Sequence, residues 1–405
     1  MTDYKITRLG IYGDGIAEGP VFAPMTLPGE VVTGTLDGST LRDVKIITPS
    51  EERVAPPCRH FKACGGCQLQ HASDALVADW KTDVIAQALA AQGIRTEIRP
   101  ILTSPSQSRR RATFAARRTK KGAMSGFYGR ASDTVIEIPD CKLVEPELLA
   151  ARDIAEALAE IGGSRKATLA VTVTTSQVGL DVQVSGGKPI DGQLRISLAG
   201  LCDSRGFARL TWEDEVIAQR APPTQRFGAA NVCPPPGAFM QATAHGEAQL
   251  LAAVQEAVHG AKRIVDLFAG CGTFTLPLAA DAEIFSVEGD AQMMAAMDKG
   301  WRMAKGLKTV THVARDLYRR PLLPDEFKKF DAVVIDPPRA GAEAQTAELI
   351  RSDIKRIAYV SCNPVTFARD VAEMVSGGFT LDWVQPVDQF RWSSHVELAD
   401  QLTRS

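Results

Sequence analysis

The segment YVSCNPVTFARD places Cys362 at the carboxyl end of an apolar run, directly before Asn363-Pro364. Ligands of open parallel sheets bind at that edge of the strands, and the Asn-Pro turn lifts the sulfur out of the core. A helix starting near Thr366 is expected to lower the thiol's pKa, which makes Cys362 a candidate nucleophile. In VVIDPPRAG, Asp336 ends a second such run ahead of two prolines that stiffen its loop. In VDLFAGCGTFTLPLA, a strand ending at Asp266-Leu267-Phe268 passes through Gly270-Cys271-Gly272 into a helix expected to open near Thr273. Small residues there let a ligand approach backbone amides, although a tight strand-to-helix turn needs glycine for its own sake. The next strand ends in Glu288, where an acid commonly takes the two hydroxyls of a ribose. Together these features point to a cofactor that contains a nucleoside.

A second group of reactive side chains lies in PPCRHFKACGGCQLQH, which puts Cys58, Cys64 and Cys67 around a Gly65-Gly66 turn. No run of about 18 apolar residues exists, so no membrane-spanning helix is expected. The start, MTDYKITRLG, lacks the apolar stretch of a secretory signal, so the expected address is cytoplasmic. Thiols there stay reduced, and closely spaced cysteines read as metal ligands or catalysts before disulfides. The C-x5-C-x2-C spacing with a distant fourth cysteine is not the two-pair pattern of a zinc ribbon, and from spacing alone zinc and an iron-sulfur cluster stand about level, with unrelated buried cysteines as a lesser third reading.

These residues must be positioned by more than one folding unit, because 405 residues exceed an average domain. With 45% hydrophobic and 23% charged residues the chain can bury sizeable cores. Residues 1–55 alternate in short runs punctuated by Gly and Pro, the pattern of a small β-barrel. Residues 56–240 carry the cysteines and a mixed, mostly strand-like α+β region. Within it, Ser73-Asp74 caps a helix whose Leu76, Trp80, Val84, Ile85, Ala88 and Leu89 share a packing face, with Gly93 as its stop. The Pro-rich CPPPGAF closes that region, and residues 241–405 alternate strand and helix. Strands read at 263–268, 284–288, 331–335 and 356–361, which predicts an α/β fold with a mainly parallel, doubly wound sheet.

The net charge of −2 conceals one strong asymmetry. RRRATFAARRTKKGAMSGFYGR, from Arg109 to Arg130, holds eight Lys/Arg and no acid. Such a run is either a solvated strand face or a surface that tracks phosphates, with Phe114, Phe127 and Tyr128 available to stack on bases.

The motifs DLFAGCGTF, DPPRAG, YVSCNP and SSHVELAD resemble, in that order, those of the S-adenosylmethionine-dependent RNA uracil-C5 methyltransferases, and the LPGEVV region is similar to that family's TRAM RNA-binding barrel. The resemblance spans essentially the whole chain and implies a Rossmann-like class I methyltransferase domain at its C-terminal end. It implies Cys362 as nucleophile and Glu397 as general base, with Gln241, Phe268, Thr273, Glu288, Asp316 and Asp336 around the cofactor. Asp336 is also expected to orient cofactor or base, and Asn363 the loop. Cys58, Cys64, Cys67 and Cys141 match the family's [4Fe-4S] pattern, which implies a structural cluster, and Cys202, Cys233 and Cys271 are left as packing residues. The chemistry suits these residue types. Carbon 5 of uracil is a poor nucleophile until a thiolate adds to carbon 6, and a base must then remove the carbon 5 proton so that the thiolate can leave.

The chain departs from the family at Thr243 and Thr273, where asparagines are usual, and at Arg391-Trp392, where Pro-His is usual. RNA is the implied partner, ribosomal RNA ahead of transfer RNA because the barrel resembles the ribosomal branch; neither a membrane nor an obligate protein partner is indicated. Amino methylation is a second enzyme reading, suggested by Asp336-Pro337-Pro338, but Arg339 stands where an aromatic residue would stack on the base. A non-catalytic RNA-binding or redox-sensing iron-sulfur protein is a third, against which an intact SCNP and HVE argue.

Overall fold

A computed structural model describes residues 2–405. Strands Tyr4–Leu9, Gly15–Ala17, Val21–Ala23, Val31–Asp37 and Thr40–Thr48 close into a barrel around Ile6, Ala17, Val21, Ala23, Val32 and Leu41. Closure demands glycine at position 34, because a Cβ there would lie 2.6 Å from the carbonyl oxygen of Arg42 on the paired strand. The chain leaves the barrel along Ser50–Arg53. Arg53 Nε donates to the buried Glu30 carboxylate at 2.5 Å, and Ser50 N donates to it at 3.3 Å.

The middle of the chain builds a sheet in the order Val135–Ile136, Ala123–Tyr128, Arg111–Arg118, Leu169–Ser176, Gly179–Ser185, Arg209–Trp212, Glu215–Gln219. Helices Pro146–Gly162 and Gly192–Arg205 pack against each other and against this sheet. Strand alternation buries Phe114, Ala116, Val171, Val173, Val182 and Val184, and the helices add Leu148, Ile154, Leu158 and Leu198. Phe114 is therefore a core residue, 0% exposed and stacked on Phe127 at 5.6 Å, which corrects its expected role as a base-stacking surface aromatic. Its side chain falls on the inner face of a half-buried strand.

The C-terminal sheet runs Val310–Ala314, Glu283–Glu288, Arg263–Leu267, Ala332–Ile335, Arg356–Ser361, Glu397–Thr403, Thr380–Asp388. The first five strands are parallel and Glu397–Thr403 enters antiparallel. This is a doubly wound α/β arrangement, and it brings the carboxyl ends of the parallel strands and the start of Glu397–Thr403 to one edge. Two pieces from the middle of the chain join this layer. Glu97–Ile98 and Leu102–Thr103 pair with Thr380–Asp388, and helix Asp74–Ala91 packs on helix Pro364–Ser376 through Ile85 and Leu89. Ser73 caps that helix as expected, its hydroxyl accepting from Leu76 N.

Candidate active site

The expected cofactor side is built where strand Arg263–Leu267 turns. Phe268 takes a left-handed φ of 60°, a costly conformation for a non-glycine residue, and its ring lies 5.6 Å from that of Tyr318. Gly270 and Gly272 also have positive φ; a Cβ at Gly270 would meet open space, whereas one at Gly272 would lie 2.7 Å from Met297 Cγ. The first glycine thus leaves room for a ligand and the second for the neighbouring helix. The helix opens at Thr275, two residues later than the sequence implied, and Thr275 Oγ1 donates to the buried Asp266 carboxylate at 2.5 Å. Glu288 caps this edge: Oε2 accepts from Gly270 N at 3.0 Å and Oε1 from Asp290 N at 3.0 Å. Thr273 is half-buried in the same turn. Asp316 is exposed and accepts from Tyr318 N at 3.0 Å, and the Tyr318 hydroxyl donates to Gly341 O at 3.1 Å, tying the 316–318 turn to the loop after Asp336.

On the reacting side, Cys362, Asp336 and Glu397 come from the ends of three strands. They lie close enough that the two carboxylates each raise the thiol's pKa. Burial is the larger cause, and together they push Cys362 up to about 11. This corrects the expectation of a depressed thiol. The helix does begin beside it, at Pro364 with Asn363 as N-cap, but desolvation and two acids outweigh the helix terminus and the nearby Arg339, which acts in the opposite sense. Asn363 Nδ2 donates to Arg339 O at 3.0 Å and its Oδ1 accepts from Val365 N at 3.1 Å, so this residue pins the 337–341 loop to the turn that carries Cys362.

Glu397 is 3% exposed rather than a solvated acid at a strand end, and burial raises its pKa to about 7. Burial and the charges of Glu397, Asp266 and Glu288 hold Asp336 well above the usual carboxylate range. The neighbouring amide of Gln389 opposes the effect of burial on Glu397. The same amide donates from Nε2 to Gln241 Oε1 at 2.5 Å, while its Oε1 accepts from Ala242 N at 2.8 Å. Gln389 therefore joins Gln241, expected beside the cofactor, to the expected base. Sequence reading missed it because an amide in a departing loop carries no motif.

The loop around Gln389 is fixed from below by Lys81. This lysine is fully buried on helix Asp74–Ala91, pairs with Asp388 at 2.7 Å and donates to Phe390 O at 3.2 Å. The sequence face drawn for that helix passed over it, since a lysine reads as solvent-facing. From the other side, Gln68 N and Leu69 N of the cysteine segment donate to Trp392 O at 2.7 and 3.0 Å.

Cys58, Cys64, Cys67 and Cys141 are all buried and unpaired; burial raises the pKa of the first three, and the nearness of Cys141 raises it further in each. Cys67 reaches about 12. Gly66 N donates to Cys64 Sγ and Leu143 N to Cys141 Sγ, both at 3.4 Å. Among the described residues no three His, Cys, Asp or Glu side chains are arranged to hold a metal ion. Cys202 and Cys271 are buried in cores and Cys233 is half-buried. The basic run divides as well. Arg110 pairs with Glu247 at 2.5 Å and Arg111 donates to Ala238 O at 2.7 Å, whereas Arg117, Arg118, Lys120 and Lys121 are exposed.

Residues 305–405 match the family model for tRNA (uracil-5-)-methyltransferases. An uncharacterized RNA methyltransferase of Brucella suis is 42% identical over 98% of this chain and 97% of its own. The 23S rRNA (uracil(1939)-C(5))-methyltransferase RlmD of Chromohalobacter salexigens is 31% identical over 99% of this chain and 89% of its own. The fold is similar to that of the Pyrococcus abyssi tRNA (uracil-54, C5)-methyltransferase crystallised with S-adenosyl-L-homocysteine, with a TM-score of 0.76, 22% identity and 99% of each chain covered.

Proposed function

This chain belongs to the S-adenosylmethionine-dependent RNA (uracil-5-)-methyltransferases, and from that premise we propose that it methylates carbon 5 of a specific uridine in 23S ribosomal RNA through a covalent adduct of Cys362. The observation that carries the reading is the meeting of Cys362, Glu397 and Asp336 at one sheet edge, beside a glycine turn with room for a ligand. Phe268, Thr273, Glu288 and Asp316 would hold the cofactor from the turn side, with Gln241 and Asp336 opposite. When bound, S-adenosylmethionine supplies the methyl group on a positively charged sulfur.

Cys362 is protonated in the free site, and Arg339 is the neighbour that favours its thiolate. Once the Cys362 thiol has given its proton to water, the thiolate adds to carbon 6 of the uracil, carbon 5 takes the methyl group, Glu397 removes the carbon 5 proton, and the carbon 6–sulfur bond breaks to release Cys362 as the thiolate. Glu397, with a pKa near 7, is partly ionised at neutral pH and suited to that proton transfer. Asp336 positions the base or the cofactor.

Cys58, Cys64, Cys67 and Cys141 fit a [4Fe-4S] cluster. They are buried, near one another and partly supplied with N–H donors to sulfur, and a cluster spreads its thiolates over several irons instead of converging them on one ion. Bound there, the cluster would fasten the 58–67 loop to the central sheet. The ribosomal target follows the relative named as a 23S rRNA enzyme, with transfer RNA as the second reading because the fold match of 99% coverage is to a tRNA enzyme. Both are tested by incubating anaerobically purified protein with unmodified total RNA and methyl-labelled S-adenosylmethionine. Label is expected in 5-methyluridine of a ribosomal fragment; label in transfer RNA selects the second target, and label in any other nucleoside overturns the reaction.

A further inference from the structure

A cleft of about 680 Å3 opens where the barrel, the cysteine loop and the central sheet meet, clear of the residues assigned to methyl transfer. Its volume is that of a small-ligand site, ample for one nucleotide. Tyr12, on the barrel turn, and Tyr128, at the end of strand Ala123–Tyr128, line it with rings left 74% and 46% exposed. Both side chains line the one cleft, where the face of a planar base can meet them. Asp14, Arg109 and Arg130 also line it. Among the described residues neither arginine has a carboxylate within ion-pair distance. Arg130 is held instead by carbonyl oxygens, donating to Cys67 O at 2.8 Å, and its Nε, buried, finds no acceptor.

The walls are fixed to the catalytic side. Gly65 N donates to Tyr128 O at 2.9 Å, the cysteine segment carries Trp392 O through Gln68 and Leu69, and Arg109 lies 5.3 Å from the ring centre of Phe390. The walls of the cleft are therefore tied, through Arg109 and residues 65–69, to the loop that leads into Glu397.

We propose that this cleft takes one unpaired guanine nucleotide of the substrate RNA, close in sequence to the target uridine, with its base stacked on Tyr12 and Tyr128 and its donor edge read by Asp14. Aromatic faces accept any base, so stacking supplies affinity. An ionised carboxylate only accepts hydrogen bonds, and guanine presents two adjacent donors, N1–H and the N2 amino group, where uracil offers one N–H. Arg109 and Arg130 supply the positive potential for the flanking phosphates. The inference rests on the RNA methyltransferase reading.

The test compares the intact protein with Tyr12→Ala/Tyr128→Ala, Tyr12→Phe/Tyr128→Phe and Asp14→Asn. Binding is measured by fluorescence anisotropy on short labelled single strands, U-rich with or without one central guanine, at fixed salt. S-adenosylmethionine affinity and formation of 5-methyluridine in total RNA are followed in parallel. The double alanine variant is expected to bind RNA roughly five- to 150-fold more weakly with cofactor affinity unchanged. The phenylalanine pair should keep the affinity, and Asp14→Asn should erase the preference for the guanine strand. If wild type methylates RNA while the alanine pair matches its RNA affinity, or Asp14→Asn keeps the guanine preference, the cleft proposal is overturned and the methyltransferase reading stands. If wild type binds and methylates no RNA, both fall.

Discussion

Gln389 stands between the two halves of the site, and its amide is what opposes burial at Glu397. Replacing it with Leu removes that influence, so the base's pKa should rise above about 7. The acidic limb of the kcat/KM profile should move up by roughly half to one pH unit, read from rates between pH 5.5 and about 9. Loss of the bond to Gln241 Oε1 should weaken cofactor binding in the same variant, measured by calorimetry. Because Cys362 is held up to about 11, its thiolate also favours high pH, and wild-type activity should climb from pH 6 toward pH 9 without a maximum near neutrality. Glu397→Gln leaves no acceptor for the carbon 5 proton. RNA should then remain joined to Cys362 and appear as a slow band on denaturing gels, whereas Cys362→Ala should abolish turnover, yield no such band and bind cofactor normally. A Cys362→Ala variant that still methylates would exclude the covalent route.

At the scale of the element, helix Asp74–Ala91 matters less for its apolar face than for Lys81 on it. Lys81→Met leaves Asp388 buried without its cation, and breaking such a pair costs on the order of 3–5 kcal/mol, measurable by urea unfolding. Asp388 also accepts from Phe390 N at 3.0 Å, so the loop carrying Gln389 should loosen and kcat should fall in the fraction that remains folded. A double variant that turns both partners apolar should recover much of the stability but not the rate.

Across the whole molecule, Asp266, Asp336, Glu397 and Asp400 are buried carboxyls with raised pKa, the first and third near 7. Each holds a proton in the folded state that it has lost in the unfolded chain once pH exceeds about 4, so stability should fall as pH rises from 4 to 7. This is opposite to the effect of salt-bridged acids. Asp400→Asn keeps the acceptor for Tyr359 N and should raise the melting temperature at pH 8 while changing it little at pH 4. If the four cysteines hold a cluster, Cys141→Ser should lower both iron content and melting temperature, because Cys141 is far along the chain from the loop it would anchor.

By itself the sequence determined the strand-and-helix alternation, the glycine turn, the N-cap at Ser73 and the positions of Cys362, Glu288 and Asp336, because each depends on neighbours within a few residues. It also placed the barrel, whose short alternating strands are local patterns. Only the tertiary structure decided what those residues experience. The thiol's pKa went up, not down, because two acids from distant strands and the surrounding protein desolvate and oppose it. Glu397 is buried because its strand enters between two others, and Phe114 faces inward because the helices cover that side of its sheet. The surroundings of Gln389 and Lys81 and the cleft at Tyr12 and Tyr128 arise from contacts between segments tens to hundreds of residues apart, and no local pattern encodes such contacts.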